Sequence, residues 1–139
     1  MYRYRKSTKK YKNTAKKAGC PFCQPSLKDR HIVEEAKHCF VTKNDFPYDV
    51  WEMQEVSEHL MIVPKKHVAS LAELNSDEKL EIINLVAKYE SLDFNIYSRS
   101  VHNKVRTVPL HQHTHLIKKN SKQANLIISS RKPYFLIKI

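Results

Sequence analysis

The sequence predicts an α+β fold built on an antiparallel sheet. Three observations carry that expectation. Short apolar segments with strand character stand on both sides of one well-signalled helix, and strands, then a helix, then strands is the order of a segregated α+β domain. The chain has 139 residues, one ordinary domain. Apolar residues make up 41% and charged residues 28%, a globular composition large enough to bury a core without disulfide staples. No apolar run approaches the roughly 18–20 residues needed to span a bilayer, and the charged N-terminus has no apolar stretch behind it, so neither a membrane span nor a secretory signal is expected.

The elements follow in order. Residues 1–18 read as a basic, disordered arm, and 19–139 as the folded domain. Gly19-Cys20-Pro21-Phe22-Cys23 is a tight turn. Residues 28–38 fit a short helix or a strand entry equally. His38 to Lys43 reads as a strand, closed by the turn signal Asn44-Asp45-Phe46-Pro47. Val50 to Val56 alternates in its middle and is expected as a second strand, and His59 to Val63 as a third, stopped by Pro64. Asn75 or Ser76 caps a helix over 76–91, with Asp77 and Glu78 in its first turn and Glu78 in the capping-box position if Asn75 is the cap. Leu80, Ile83, Val86 or Ala87, and Tyr89 supply the helical apolar spacing. Phe94 to Val101 and His111 to Lys118 are further strands, and Leu126 to Ser129 and Tyr134 to Ile137 are strand candidates.

The net charge of +11 suggests a polyanion binder until it is located. Arg3, Arg5, Lys6, Lys9, Lys10, Lys12, Lys16 and Lys17 put eight positive charges and no acid into residues 1–17, which leaves +3 for the rest. Tyr2, Tyr4 and Tyr11 are interleaved with these charges. The arm is therefore either a solvated tail or a nucleic-acid contact, since basic residues hold phosphates and aromatics stack bases. Three cysteines are too few for a disulfide-built domain. In the cytoplasmic setting expected without a secretion signal, the Cys20-x-x-Cys23 pair points to a metal or redox site.

The informative segment is His111-Gln112-His113-Thr114-His115. On a strand, alternate residues share a face, so three imidazoles would stand about 6.6–7 Å apart on one side. Buried, each ring would need hydrogen-bond partners. The spacing suits a site in which one ring reacts and its neighbours orient it or bind a ligand. An exposed histidine-rich edge, or an adventitious metal patch, is the alternative. A second segment, His59-Leu60-Met61-Ile62-Val63-Pro64-Lys65-Lys66-His67, opens and closes with histidine.

These two segments, with the order of elements between them, resemble the histidine-triad (HIT) family over about residues 20–118. The resemblance implies an antiparallel sheet of about five strands with one long helix and a shorter one, in a protein that is often dimeric. It implies a nucleotide hydrolase or phosphoramidase that cleaves at the α-phosphate of nucleoside phosphoramidates or dinucleoside polyphosphates. His113 would be the nucleophile, forming a nucleotidyl-histidine. Its ring would be oriented by a backbone carbonyl. His115 would contact the phosphate oxygens, His59 would support the cluster, and Asn44 would hydrogen-bond the ribose, unless it is simply a turn residue. Some relatives, including the galactose-1-phosphate uridylyltransferase branch, hold a structural zinc through an N-terminal C-x-x-C and two histidines. The matching residues are Cys20, Cys23, His67 and His111. A reduced thiol pair is the alternative; a thioredoxin-like motif lacks its βαβ setting.

The pattern departs from the family at one place. The loop before the triad, residues 100–110, has no glycine, and its nearest hydroxyl, Thr107, lies four residues before His111 rather than the usual three. Arg106 or Lys104 is the substitute source of charge. Histidine rather than glutamine at His115 favours hydrolysis over transfer. A function from another class also stands: a nucleic-acid-associated binding protein that uses the arm, with little or no turnover.

Overall fold

The structure, a computed structural model, describes residues 3, 4, 7, 19–23, 31–104, 106–124, 126–128 and 135–137. Most of the basic arm, residues 24–30 and the ends of the last two strand candidates lie outside the described residues. The strands are β1 (Ile32–Glu35), β2 (Cys39–Lys43), β3 (Val50–Trp51), β4 (Gln54–Pro64), β5 (Asn95–Ser98), β6 (Thr114–Gln123), β7 (Leu126–Ile128) and β8 (Phe135–Ile137). A 3-10 turn, Leu71–Glu73, and the helix α1, Ser76–Glu90, stand between β4 and β5. The main sheet is antiparallel throughout in the order β1-β2-β4-β6-β5, with the two-residue β3 added to β4. A separate hairpin pairs β7 with β8. The expected α+β fold with an antiparallel sheet is the fold observed, and the 3-10 turn takes the place of the shorter helix.

Alternation along the central strands separates two faces. Leu60 and Ile62 of β4, Cys39 and Val41 of β2 and Leu116 of β6 join Val68, Leu74, Ile82, Leu85, Tyr89 and Phe94 in the main core. The residues between them point the other way. Phe40, Met61 and Val63 form a second, smaller cluster with Phe22 and Ile32, and His59 and His115 share that face. Register brings them together: His59 pairs with Ile117 and Met61 with His115, so the two histidines are diagonal neighbours on adjacent strands. The helix covers one face of the sheet, and the histidines occupy the other.

Helix α1 starts as the sequence predicts. The Asn75 side chain accepts from the Glu78 N–H, and the Glu78 carboxylate accepts from the Asn75 N–H. Its buried face is the expected one at Tyr89 and, in part, at Val86, but not at Leu80 and Ile83. Leu80 and Ile83 are more than half exposed, while Ile82, Leu85 and Tyr89 enter the core. Both sets have helical spacing, and the sheet they must meet decides between them.

Four strand expectations change. Val50 to Val56 is a hairpin, not one strand: Glu52 and Met53, at φ 47° and 62°, form the two-residue turn between β3 and β4. Turns with both central residues left-handed are normally signalled by Asn-Gly, a signal absent here. The expected third strand is the second half of β4, since pairing with β6 runs from Gln54 to Ile62. The His111 strand begins only at Thr114, and the one from Phe94 ends at Ser98. Residues between them form a loop with successive turns, Asn103 N–H to Ser100 O and Arg106 N–H to Asn103 O.

Candidate functional site

His59, His111, His113 and His115 are all buried, each no more than 6% exposed. A buried imidazole must have its ring nitrogens satisfied, and the partners fix where each proton sits. The Tyr48 backbone N–H donates to His59 Nδ1 at 3.1 Å, so the His59 proton is on Nε2. From there it donates to His115 Nδ1 at 2.9 Å, which leaves the His115 proton on Nε2. One backbone amide on the 44–49 turn thus sets the tautomers of two rings on different strands. Burial, and then the positive charges around them, keeps both rings neutral: the His59 pKa falls to about 3 and that of His115 to about 2. The charges involved include Arg3 for both rings and Arg99 for His115.

His113 is held differently. Its Nδ1–H donates to the backbone carbonyl of His111 at 2.9 Å, so Nε2 carries the lone pair. Its ring stands edge-on to His115, with centroids 5.0 Å apart, and both His111 and His113 precede the strand. Burial lowers its pKa, so the ring is neutral near pH 7 and its lone pair is available.

His111 turns toward a second cluster. Its Nε2–H donates to Pro64 O at 2.8 Å, leaving the Nδ1 lone pair directed at Cys20 Sγ, 3.3 Å away, and Cys23 Sγ, 3.5 Å away. His67 Nδ1 lies 3.1 Å from Cys23 Sγ. The four ligand atoms lie within 4.8 Å of one another. Tetrahedral zinc with bonds of about 2.0–2.3 Å places its ligand atoms roughly 3.3–3.8 Å apart, so the donor set fits the ion in chemistry, and its widest separation is about 1 Å more than a bound ion would leave. The Pro64 carbonyl behind His111 is the outer partner such a ligand needs. Without an ion, burial and then the hydrogen bond and charge of Cys20 raise the Cys23 thiol pKa.

Of the other expected residues, Asn44 does two things. Its Oδ1 accepts the Phe46 N–H at 2.9 Å, which is the turn role, and this orientation brings its Nδ2 to 3.1 Å from His59 Nε2. With both nitrogens carrying protons, that contact is a close approach, and the amide protons remain for another acceptor. Thr107 is exposed on the loop, and among the described residues no contact joins it to the histidine rings. Arg106, expected as a substitute source of charge, is turned into the protein. It is 6% exposed and its guanidinium donates to Ala69 O, His111 O and Gln112 Oε1. Lys104 is exposed.

Several site residues were missed in the sequence. Tyr48 packs on His59 with centroids 4.8 Å apart and accepts from Arg99 at its hydroxyl. Phe22 sits 5.4 Å from the His111 ring and 5.2 Å from His113, between the two clusters. Arg3, from the arm, lies 4.6 Å over the Tyr48 ring and donates to Phe46 O and Pro47 O. Tyr4 N–H and Ser7 hydroxyl both donate to Asp49. The sequence marks Arg3 and Tyr4 only as part of the basic arm, and Phe22 only as part of the C-x-x-C turn.

Comparison with known proteins gives a family and a fold. A family model described as "Protein similar to CwfJ C-terminal" matches residues 6–124. A HIT family hydrolase from Legionella pneumophila is 22% identical, with a TM-score of 0.53 over 76% of this chain and 95% of its own. A histidine triad nucleotide-binding protein from Candida albicans is also 22% identical, with a TM-score of 0.53 over 76% of this chain and 78% of its own. A protein from Leishmania major is 21% identical, with a TM-score of 0.57 over 87% and 84%. At these identities the likeness is one of fold. No curated protein sequence matches the chain.

Proposed function

We propose, from the premise that this chain belongs to the family of proteins similar to the CwfJ C-terminal, that it is a nucleotide hydrolase. It cleaves at the α-phosphate of nucleoside phosphoramidates or dinucleoside polyphosphates. The observation that carries this reading is the His113 Nδ1–H bond to the His111 carbonyl, which presents a neutral Nε2 lone pair. That nitrogen bonds to the α-phosphorus, and the bond from phosphorus to the leaving nitrogen or oxygen breaks, its electron pair leaving with that atom. Water then cleaves the nucleotidyl-histidine to the nucleoside monophosphate and free His113. The His115 Nε2–H, fixed by the relay from Tyr48 through His59, donates to a phosphate oxygen where charge builds. Asn44 offers its amide to a ribose hydroxyl. Thr107, outside the ring cluster, is the weakest member of the expected site.

Zinc held by Cys20, Cys23, His67 and His111 would supply a structural cross-link between the C-x-x-C turn, the segment after β4 and the start of the triad. His111 would then be anchored by its side chain while its carbonyl holds His113.

The test is intact-protein mass spectrometry after incubation with an adenosine phosphoramidate and with a dinucleoside polyphosphate. Free AMP, or a transient nucleotidyl adduct, is expected from the wild type and from neither in His113→Ala. Turnover retained in a folded His113→Ala overturns the mechanism. A second reading, a nucleic-acid-associated binding protein, is favoured by the contact of Arg3 with Tyr48 beside the rings. It predicts binding that weakens steeply with salt and flattens when residues 1–17 are deleted.

A further inference from the structure

Arg106 carries a charge in a place where charges are costly. Its guanidinium is buried, and among the described residues no carboxylate accepts from it. Three neutral oxygens take its protons: Ala69 O from Nη1 at 2.9 Å, and His111 O and Gln112 Oε1 from Nη2 at 3.2 and 2.8 Å. Burying a cation against neutral acceptors alone stabilises a fold poorly, so the position of those acceptors is informative. The His111 carbonyl is the oxygen that also accepts the His113 Nδ1–H. A carbonyl has two lone pairs, and here one faces the guanidinium and the other the imidazole. The Gln112 amide is held in turn, its Nε2 donating to Ser98 Oγ and its backbone N–H to Val68 O.

We propose that Arg106 is a positioning residue for His113: its rigid fork fixes the His111 carbonyl, and that carbonyl fixes the tautomer and rotation of the His113 ring. The segment needs such a device. His111 to His113 precede β6, so no sheet ladder holds that peptide, and the loop before them has no glycine to fold it tightly against its surroundings. A planar fork that reaches Ala69 and His111 together ties the loop to the segment after β4 on one side and to the reacting ring on the other. Lysine cannot do this, since its single ammonium lacks the fork.

The proposal rests on His113 being the reacting group, and its test has a readout independent of turnover. In zinc-loaded protein, the ring nitrogens of His113 are assigned by 15N-edited NMR in the wild type, Arg106→Met and Arg106→Lys. The wild type is expected to show one tautomer with the proton on Nδ1, and Arg106→Met a mixture of both. Where substrate is turned over, kcat in Arg106→Met falls about 10–100-fold, the usual cost of losing a residue that orients a reacting or ligating histidine, with KM little changed. Should Arg106→Met not fold, the same reading is taken on Arg106→Lys. A single Nδ1–H tautomer in the folded variant, with wild-type kcat, overturns the proposal. Absence of turnover in the wild type overturns the hydrolase reading instead, and the tautomer measurement still decides the role of Arg106.

Discussion

Acid should destabilise this fold at an unusually high pH, and the His59–His115 pair supplies a part of the effect whose size can be worked out. Both rings are buried and neutral, joined by one proton between His59 Nε2 and His115 Nδ1. Their folded pKa values, about 3 and about 2, lie below the ordinary value of 6.5. The unfolded chain therefore binds more protons than the folded one throughout that window. Stability from the pair is fully present above pH 6.5 and is lost as pH falls toward the folded values. Each ring contributes about 1.4 kcal/mol per pH unit, so the two together contribute about 2.7. Two units of acidification would remove about 5 kcal/mol, comparable to the whole stability of many domains. The assay is urea denaturation followed by fluorescence of Trp51, the single tryptophan, at intervals from pH 7.5 to 5. This range lies above the ordinary carboxylate pKa values. The His115→Asn variant removes one titrating ring, and its slope should be shallower by about 1.4 kcal/mol per pH unit. Equal slopes for the two proteins would refute the argument that buried neutral imidazoles control the acid limb.

Two further outcomes follow from other parts of the molecule. Replacing both Cys20 and Cys23 by serine should abolish bound zinc, read by native mass spectrometry, and should remove the stabilisation that added zinc gives the wild type, about 2.7 kcal/mol at a hundredfold excess over Kd. An equal response of the two proteins to zinc would place the ion elsewhere. Met53→Gly relieves a left-handed non-glycine residue at φ 62° in the β3–β4 turn. It should raise stability by about 1 kcal/mol in thermal or urea unfolding, whereas a loss would mean the Met53 side chain matters more than its backbone.

Legibility in the sequence followed the range of the interactions. The start of α1 was readable because a capping box is made by residues three apart. The four metal-ligand candidates were nameable from motif resemblance, and the fold brings them within reach of one ion. The β3–β4 hairpin was not readable, because Glu52 and Met53 have no intrinsic preference for its turn and are held there by pairing of the flanking strands. The buried side of α1 was misread in its first two turns for a similar reason: Leu80 and Ile83 are as apolar as Ile82 and Leu85, and only the sheet distinguishes them. Arg106 was read only as a substitute source of charge, since nothing within five residues announces that Ala69 O will be one of its acceptors.

The sequence by itself determined the α+β class, the capped helix and the identities of the histidines and cysteines, because periodicity, capping and short motifs are local. Only the tertiary structure decided how those groups act on each other. It aligned β4 against β6 so that His59 meets His115, folded the 44–49 turn back to aim the Tyr48 amide at His59, and placed one carbonyl between His113 and Arg106. A proton's position on a ring is set by whatever lies opposite each nitrogen, and those partners come from segments as many as 56 residues apart in the chain.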